Sequence, residues 1–173
     1  MMPNHVHLIL APRDAEGLRL AVGKTHRHYT RRVNFREGWR GHLWQGRFAS
    51  YPMDDAHLRQ AARYVDLNPV RARLARRPEN WRWSSARARI RGGDDPLVSD
   101  DCPILEAREV RDAGGWAEYL AAGLSDESRE AFQRHERTGR PLGSEHFVER
   151  LGKALGRDLT RKKPGPKPKQ GKK

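Results

Sequence analysis

Short β-prone runs bounded by turn residues occupy the first part of this chain, and longer stretches of helical spacing follow. His5–Leu10 (HVHLIL) is short, rich in β-formers and bounded by Pro3-Asn4 and Pro12. It predicts a strand buried on at least one face. Leu18, Val22, Tyr29 and Val33 recur at helical spacing, with Ala21 and Thr25 between them, and Gly38 and Gly41 stop that helix. The aromatic stretch His42–Tyr51 (HLWQGRFASY) predicts a strand or hairpin with a bulge at Gly46. Asp54 or Asp55 caps a helix from Ala56 to about Leu67. Asn68-Pro69 breaks it, and Val70–Arg76 begins another turn. Trp81–Ile90 is basic and aromatic, with Ser84 or Ser85 as the cap of a short helix. After the Gly92–Pro96 loop, Glu106–Leu120 and Asp126–Thr138 predict helices, and Phe147–Leu155 a shorter one that Gly156 ends.

Charge divides the chain more sharply than hydropathy does. The 173 residues hold 35 Lys+Arg against 22 Asp+Glu, a net charge of +13. Residues 1–92 carry 19 cations and 7 acids, residues 93–160 carry 9 and 15, and residues 161–173 carry 7 and none. Three units are therefore expected: a basic aromatic domain over 1–92, a helical accessory region over 93–160, and a disordered basic tail over 161–173. A cation surplus of this size points to a polyanion, most simply nucleic acid. No run approaches the ~20 apolar residues of a membrane-spanning helix, so no membrane partner is expected. Met1–Leu10 has neither a basic n-region nor a long apolar run, so no secretory signal is expected. The single cysteine, Cys102, excludes an internal disulfide framework and a cysteine-rich zinc module. The expected location is a reducing cytoplasm, in association with the nucleoid.

Two constellations carry candidate chemistry. In His5-Val6-His7, side chains at i and i+2 of a strand point to one face, about 6–7 Å apart, and two imidazoles so placed can share a metal ion. Set against this is a pair of surface histidines. In Tyr64-Val65-Asp66-Leu67-Asn68-Pro69, Tyr64 and Asn68 are one helical turn apart. A phenol beside a metal is a candidate nucleophile, and an amide oxygen suits Mg²⁺ or Mn²⁺. The plainer alternative is a core tyrosine and a helix-ending asparagine. A third feature is aromatic–basic interleaving at Trp39-Arg40, Trp44–Phe48 and Trp81–Trp83. Such rings stack on unpaired bases while arginines reach phosphates, although at least half of these aromatics are expected to fill a core. Arg47, Trp44, Arg63, Arg71 and Arg82, with Lys162, Lys163 and Lys167 of the tail, are the candidate DNA-binding residues.

Four segments in order, MPNHVHLIL (2–10), GHLWQGRFAS (41–50), RYVDLNPVRARLA (63–75) and WRWSSA (81–86), resemble the REP-associated tyrosine transposases of the single-tyrosine HUH superfamily. The segment Gly139–Lys169 is similar to the C-terminal end of many relatives. The resemblance implies an α+β fold: a ferredoxin-like antiparallel sheet with helices on one face, here N-terminally truncated, plus a C-terminal helical region. It implies that His5 and His7 are the HUH pair, Tyr64 the catalytic tyrosine and Asn68 the third metal-ligand position. It also implies nicking and rejoining of single-stranded DNA at hairpin-forming repeats, with Mg²⁺ or Mn²⁺ and a 5′-phosphotyrosine. Relatives carry a further strand and helix before the MPNHVHL segment, so an exposed sheet edge is expected here. The expected partner is single-stranded or hairpin DNA, with monomer and homodimer both open. The alternative reading is a catalytically decayed or domesticated nucleic-acid-binding protein. A small RNA-binding module stands below both, because HVH and YVDLN have no role in it.

Overall fold

The computed structural model describes residues 1–99 and 103–160. Over these residues the chain is helical. Helix α1 spans Gly17–Glu37, α2 Asp55–Arg71, α3 Ala86–Arg91, α4 Arg108–Asp112, α5 Trp116–Ala121, α6 Asp126–Thr138 and α7 Glu145–Leu155, with a 3-10 turn at Pro78–Asn80.

The expected ferredoxin-like antiparallel sheet is absent among the described residues. No strand forms there, and β pairing is confined to one isolated parallel bridge between Met53 and Leu142. The physical reason is that a β-rich sequence becomes a strand only where a neighbouring backbone pairs with it. No described segment lies alongside His5–Leu10 in a ladder. What survives is the alternation. His7 touches Tyr64 and Ile9 packs against the core, while Leu8 and Leu10 are 56% and 49% exposed. The aromatic stretch 42–51 likewise forms turns and coil rather than a hairpin. There Trp44 stacks on His26 of α1, with ring centroids 3.8 Å apart, and its indole N–H donates to the His26 carbonyl. Side-chain docking replaces strand pairing in this segment.

Helix α2 is the axis of the molecule. One face buries Ala62 with Ile104, Val110, Trp116, Tyr119 and Leu120, so α4 and α5 cover it. Another buries Ala61 and Tyr64 with Phe132 and Leu142, so α6 covers it. Both clusters also take up Ile9. The acidic part of the chain thus folds over a helix of the basic part.

Helix α2 begins where its sequence says it should. Asp54 is extended at the N-cap and accepts the His57 backbone N–H at 3.0 Å. It does not stop at Asn68-Pro69, however, but runs to Arg71 with Pro69 buried inside it. Proline removes one backbone donor and crowds the preceding turn. So close to the C-terminus that loss is limited, and the next turn closes through Ala72 N–H to Asn68 O at 2.9 Å and Leu74 N–H to Pro69 O at 2.9 Å. The helix expected over Glu106–Leu120 is instead two short helices, parted by Gly114 (φ 92°) and Gly115 (φ 125°). These backbone angles suit glycine, and the break lets Trp116 turn inward, 4% exposed. By contrast α6 has the expected bounds, and α1 and α7 extend beyond theirs and end on Gly38 and Gly156, both left-handed.

Ser144 caps α7 and its backbone N–H donates to Asp54 Oδ2 at 2.8 Å, joining the starts of α2 and α7. A Cβ at Gly143 would collide with the Phe147 ring and lie 2.9 Å from Asp54 Oδ2, so this junction favours glycine. No described helix is long and apolar enough to cross a membrane.

Candidate active site around Tyr64 and the histidine pair

Helix α2 presents Tyr64 toward the N-terminal segment, and the extended residues 5–9 bring His7 against it. The His5 and His7 rings meet edge to face, 4.7 Å between centroids, and His7 meets Tyr64 in the same way at 5.8 Å. The phenol ring is 6% exposed and packs on Phe132 of α6 at 5.2 Å. From the C-terminal end of α2, the Arg71 guanidinium lies over the Tyr64 ring, 4.3 Å from its centroid. The same group donates to Asn68 Oδ1 at 3.0 Å and to the Tyr64 carbonyl at 3.3 Å. Three of the four proposed chemical residues therefore form a chain of contacts, and Arg71 bridges the fourth to Tyr64.

Glu136 of α6 joins from the acidic part of the chain, with Oε1 3.4 Å from His7 Nδ1. Nothing local in the sequence marks it, because the contact is made by the docking of α6 on Tyr64. Asp66 is equally silent in the sequence. It is fully buried and accepts from Ser84 at 3.4 Å, Ser85 at 3.1 Å, Arg89 at 2.8 Å and the Trp116 indole at 3.0 Å. The two serines expected as helix caps are thus donors to a buried carboxylate. Ser84 additionally accepts the Ala86 N–H at 3.2 Å.

Burial sets the charge states. Desolvation, with help from His5, the terminal ammonium and Arg71, pushes His7 down to about 4, so its imidazole is neutral at neutral pH. Desolvation and the nearby Glu136 carboxyl raise the Tyr64 phenol, while Arg71 pulls it back. Tyr64 is therefore a protonated phenol at neutral pH. Burial also raises Glu136, with Arg71 opposing, and lifts Tyr51 to about 12 with contributions from Glu136 and Tyr64.

Two imidazoles that meet edge to face are donors of the kind a divalent ion takes. In both histidines the oxygen contact falls on Nδ1, from Asn4 Oδ1 at 2.7 Å to His5 and from Glu136 to His7. Among the described residues no three His, Cys, Asp or Glu side chains come together as a metal cage. The Asn68 oxygen, which accepts from Arg71 at 3.0 Å, has a second lone pair beyond the one Arg71 uses.

The candidate DNA-binding residues occupy different surroundings. Arg47 and Arg82 are exposed, Arg82 lying over the Trp83 ring at 4.3 Å. Trp44 is half-buried on His26. The Arg63 guanidinium stacks on Tyr119, 3.4 Å from the ring centroid, and donates to the Gly123 carbonyl at 2.8 Å, which ties α2 to α5. Arg71 belongs to the Tyr64 site itself. Lys162, Lys163 and Lys167 lie outside the described residues.

No curated protein and no solved structure matches the chain. Residues 1–68, however, match the family described as Transposase IS200 like. The matched stretch bears His5, His7, Tyr64 and Asn68.

Proposed function

We propose that this chain nicks single-stranded DNA and transfers the strand through a 5′-phosphotyrosine on Tyr64, at hairpin-forming repeats. The observation that carries the reading is the contact of Tyr64 with His7, itself against His5, inside the segment of transposase sequence. His5, His7 and Asn68 would hold Mg²⁺ or Mn²⁺. Such an ion, when bound, supplies Lewis-acid polarisation of a phosphate oxygen. The chain's own residues do the rest. Tyr64 Oη attacks the phosphorus, the P–O3′ bond breaks, and the 3′ oxygen leaves as a hydroxyl after taking a proton. The phenolic proton must go to a base, and the Glu136 carboxylate, near both His7 and the phenol, is the acceptor in the site. Arg71, already over the phenol ring, offsets the charge of the developing phenolate and of the phosphate. The ester formed retains the energy for rejoining, so the reverse attack by a 3′-OH seals a new junction.

A second reading, a nucleic-acid-binding protein without cleavage activity, is favoured by one observation. Tyr64 is 6% exposed, and Arg71 holds the Asn68 oxygen at 3.0 Å. Incubation of the full chain with labelled hairpin single strands and Mn²⁺, followed by a denaturing gel, separates the two. The enzyme reading expects a covalent adduct with wild type and none with Tyr64→Phe or His5→Ala. Salt-sensitive binding without any adduct would establish the second reading.

A further inference from the structure

Phe132 and Glu136 lie four residues apart on α6, and therefore on one face. Phe132 is 1% exposed and seats that face on the Tyr64 ring. The same seating delivers Glu136 to His7, where Oε1 stands 3.4 Å from Nδ1, with side-chain exposures of 32% and 20%. On the neighbouring ring, Asn4 Oδ1 stands 2.7 Å from the same nitrogen of His5. Two rings on one segment thus have oxygen partners from two unrelated parts of the chain at the same atom, at hydrogen-bond length for His5 and at ion-pair distance for His7.

We propose that Glu136 is the positioning residue of His7: it accepts the Nδ1 hydrogen, fixes the ring's tautomer and leaves Nε2 as the nitrogen that faces ligand. A neutral imidazole has one N–H, and the acceptor beside it decides which nitrogen bears it. Carboxylates commonly play this part behind ligating histidines. The acidic part of the chain therefore supplies a working part of the site that the IS200-like segment, residues 1–68, does not contain. The inference rests on the nicking reading only for the use made of Nε2.

The test uses the metal-free full chain with ¹⁵N-labelled histidine and long-range ¹H–¹⁵N correlation at neutral pH. Wild type is expected to show His7 as the Nδ1–H tautomer. Glu136→Gln, whose amide oxygen still accepts, is expected to keep it. Glu136→Ala is expected to shift His7 toward Nε2–H, the form favoured in water, with His5 unchanged. Titration of Mn²⁺ by electron paramagnetic resonance is then expected to show affinity about 10–100-fold weaker in Glu136→Ala and near wild type in Glu136→Gln. An Nε2–H tautomer in wild type would overturn the proposal whatever the variants do. So would an Nδ1–H tautomer that persists in a folded Glu136→Ala. A chain with the expected tautomers that forms no DNA adduct would refute the nicking reading and leave this one standing.

Discussion

Asp66 lies two positions from Tyr64 and so points away from it, into a pocket where four side chains donate to one carboxylate. The donors come from α3, its approach and α5, so the residue joins three parts of the chain to α2. Replacing it with Ala leaves Arg89, 10% exposed, without its anion. Breaking a buried pair on one side costs about 3–5 kcal/mol. Asp66→Ala is therefore expected to lower the denaturation midpoint by a matching amount, measured by urea titration, and Asp66→Asn by less. A midpoint unchanged in Asp66→Ala would show that the network contributes nothing. At this scale the site is half legible in the sequence. The pair His5 and His7 and the spacing of Tyr64 and Asn68 are local patterns, readable from short spans. Glu136 and the partners of Asp66 are not, because they meet residues far away along the chain and depend on how helices dock.

Helices α2 and α7 share an acid at their starts. Asp54 Oδ1 accepts from the His57 backbone at 3.0 Å and from His57 Nδ1 at 2.6 Å, and Oδ2 accepts from Ser144. Partial burial alone would raise this carboxyl. The His57 side chain, the two backbone donors and the His57 charge outweigh it and hold it below its usual value. Because the folded value is the lower one, the stabilisation is fully present above the unfolded value and fades as pH falls through the folded one. Thermal unfolding followed from neutrality to below about pH 4 is expected to show a steeper acid loss in wild type than in Asp54→Asn, which still caps but cannot titrate. Equal acid limbs would remove Asp54 from this role. Helix ends are the most legible elements, since caps and stop glycines act within one turn. The sheet is not legible, because β-propensity describes what a segment tolerates and not whether a partner lies beside it. The overrun past Asn68-Pro69 goes with the burial of Pro69 in the packed helix, whereas the split at Gly114-Gly115 is a local glycine signal that the helical spacing of the flanking residues hides.

Over the whole molecule, cations concentrate where chemistry is proposed, and the seven in residues 161–173 add to them. If that tail binds phosphates, its deletion should flatten the dependence of log affinity on log salt by about 0.7 for each single-strand phosphate that the tail would otherwise neutralise. Filter binding of hairpin DNA across a salt series measures this, and an unchanged slope would show that the tail neutralises none. The acidic part, which composition marks off from the basic one, closes over α2 and buries the phenol ring.

That burial has an evolutionary corollary. Tyr64 serves as core filler through its ring and as proposed nucleophile through one oxygen, and packing exerts its demand on the ring alone. A lineage that stopped cutting DNA would still be held to an aromatic residue at this position, but nothing in the packing against Phe132 would resist drift from tyrosine to phenylalanine. Across descendants of this chain, persistence of the hydroxyl where the ring is already guaranteed would therefore track catalysis more faithfully than retention of the motif as a whole.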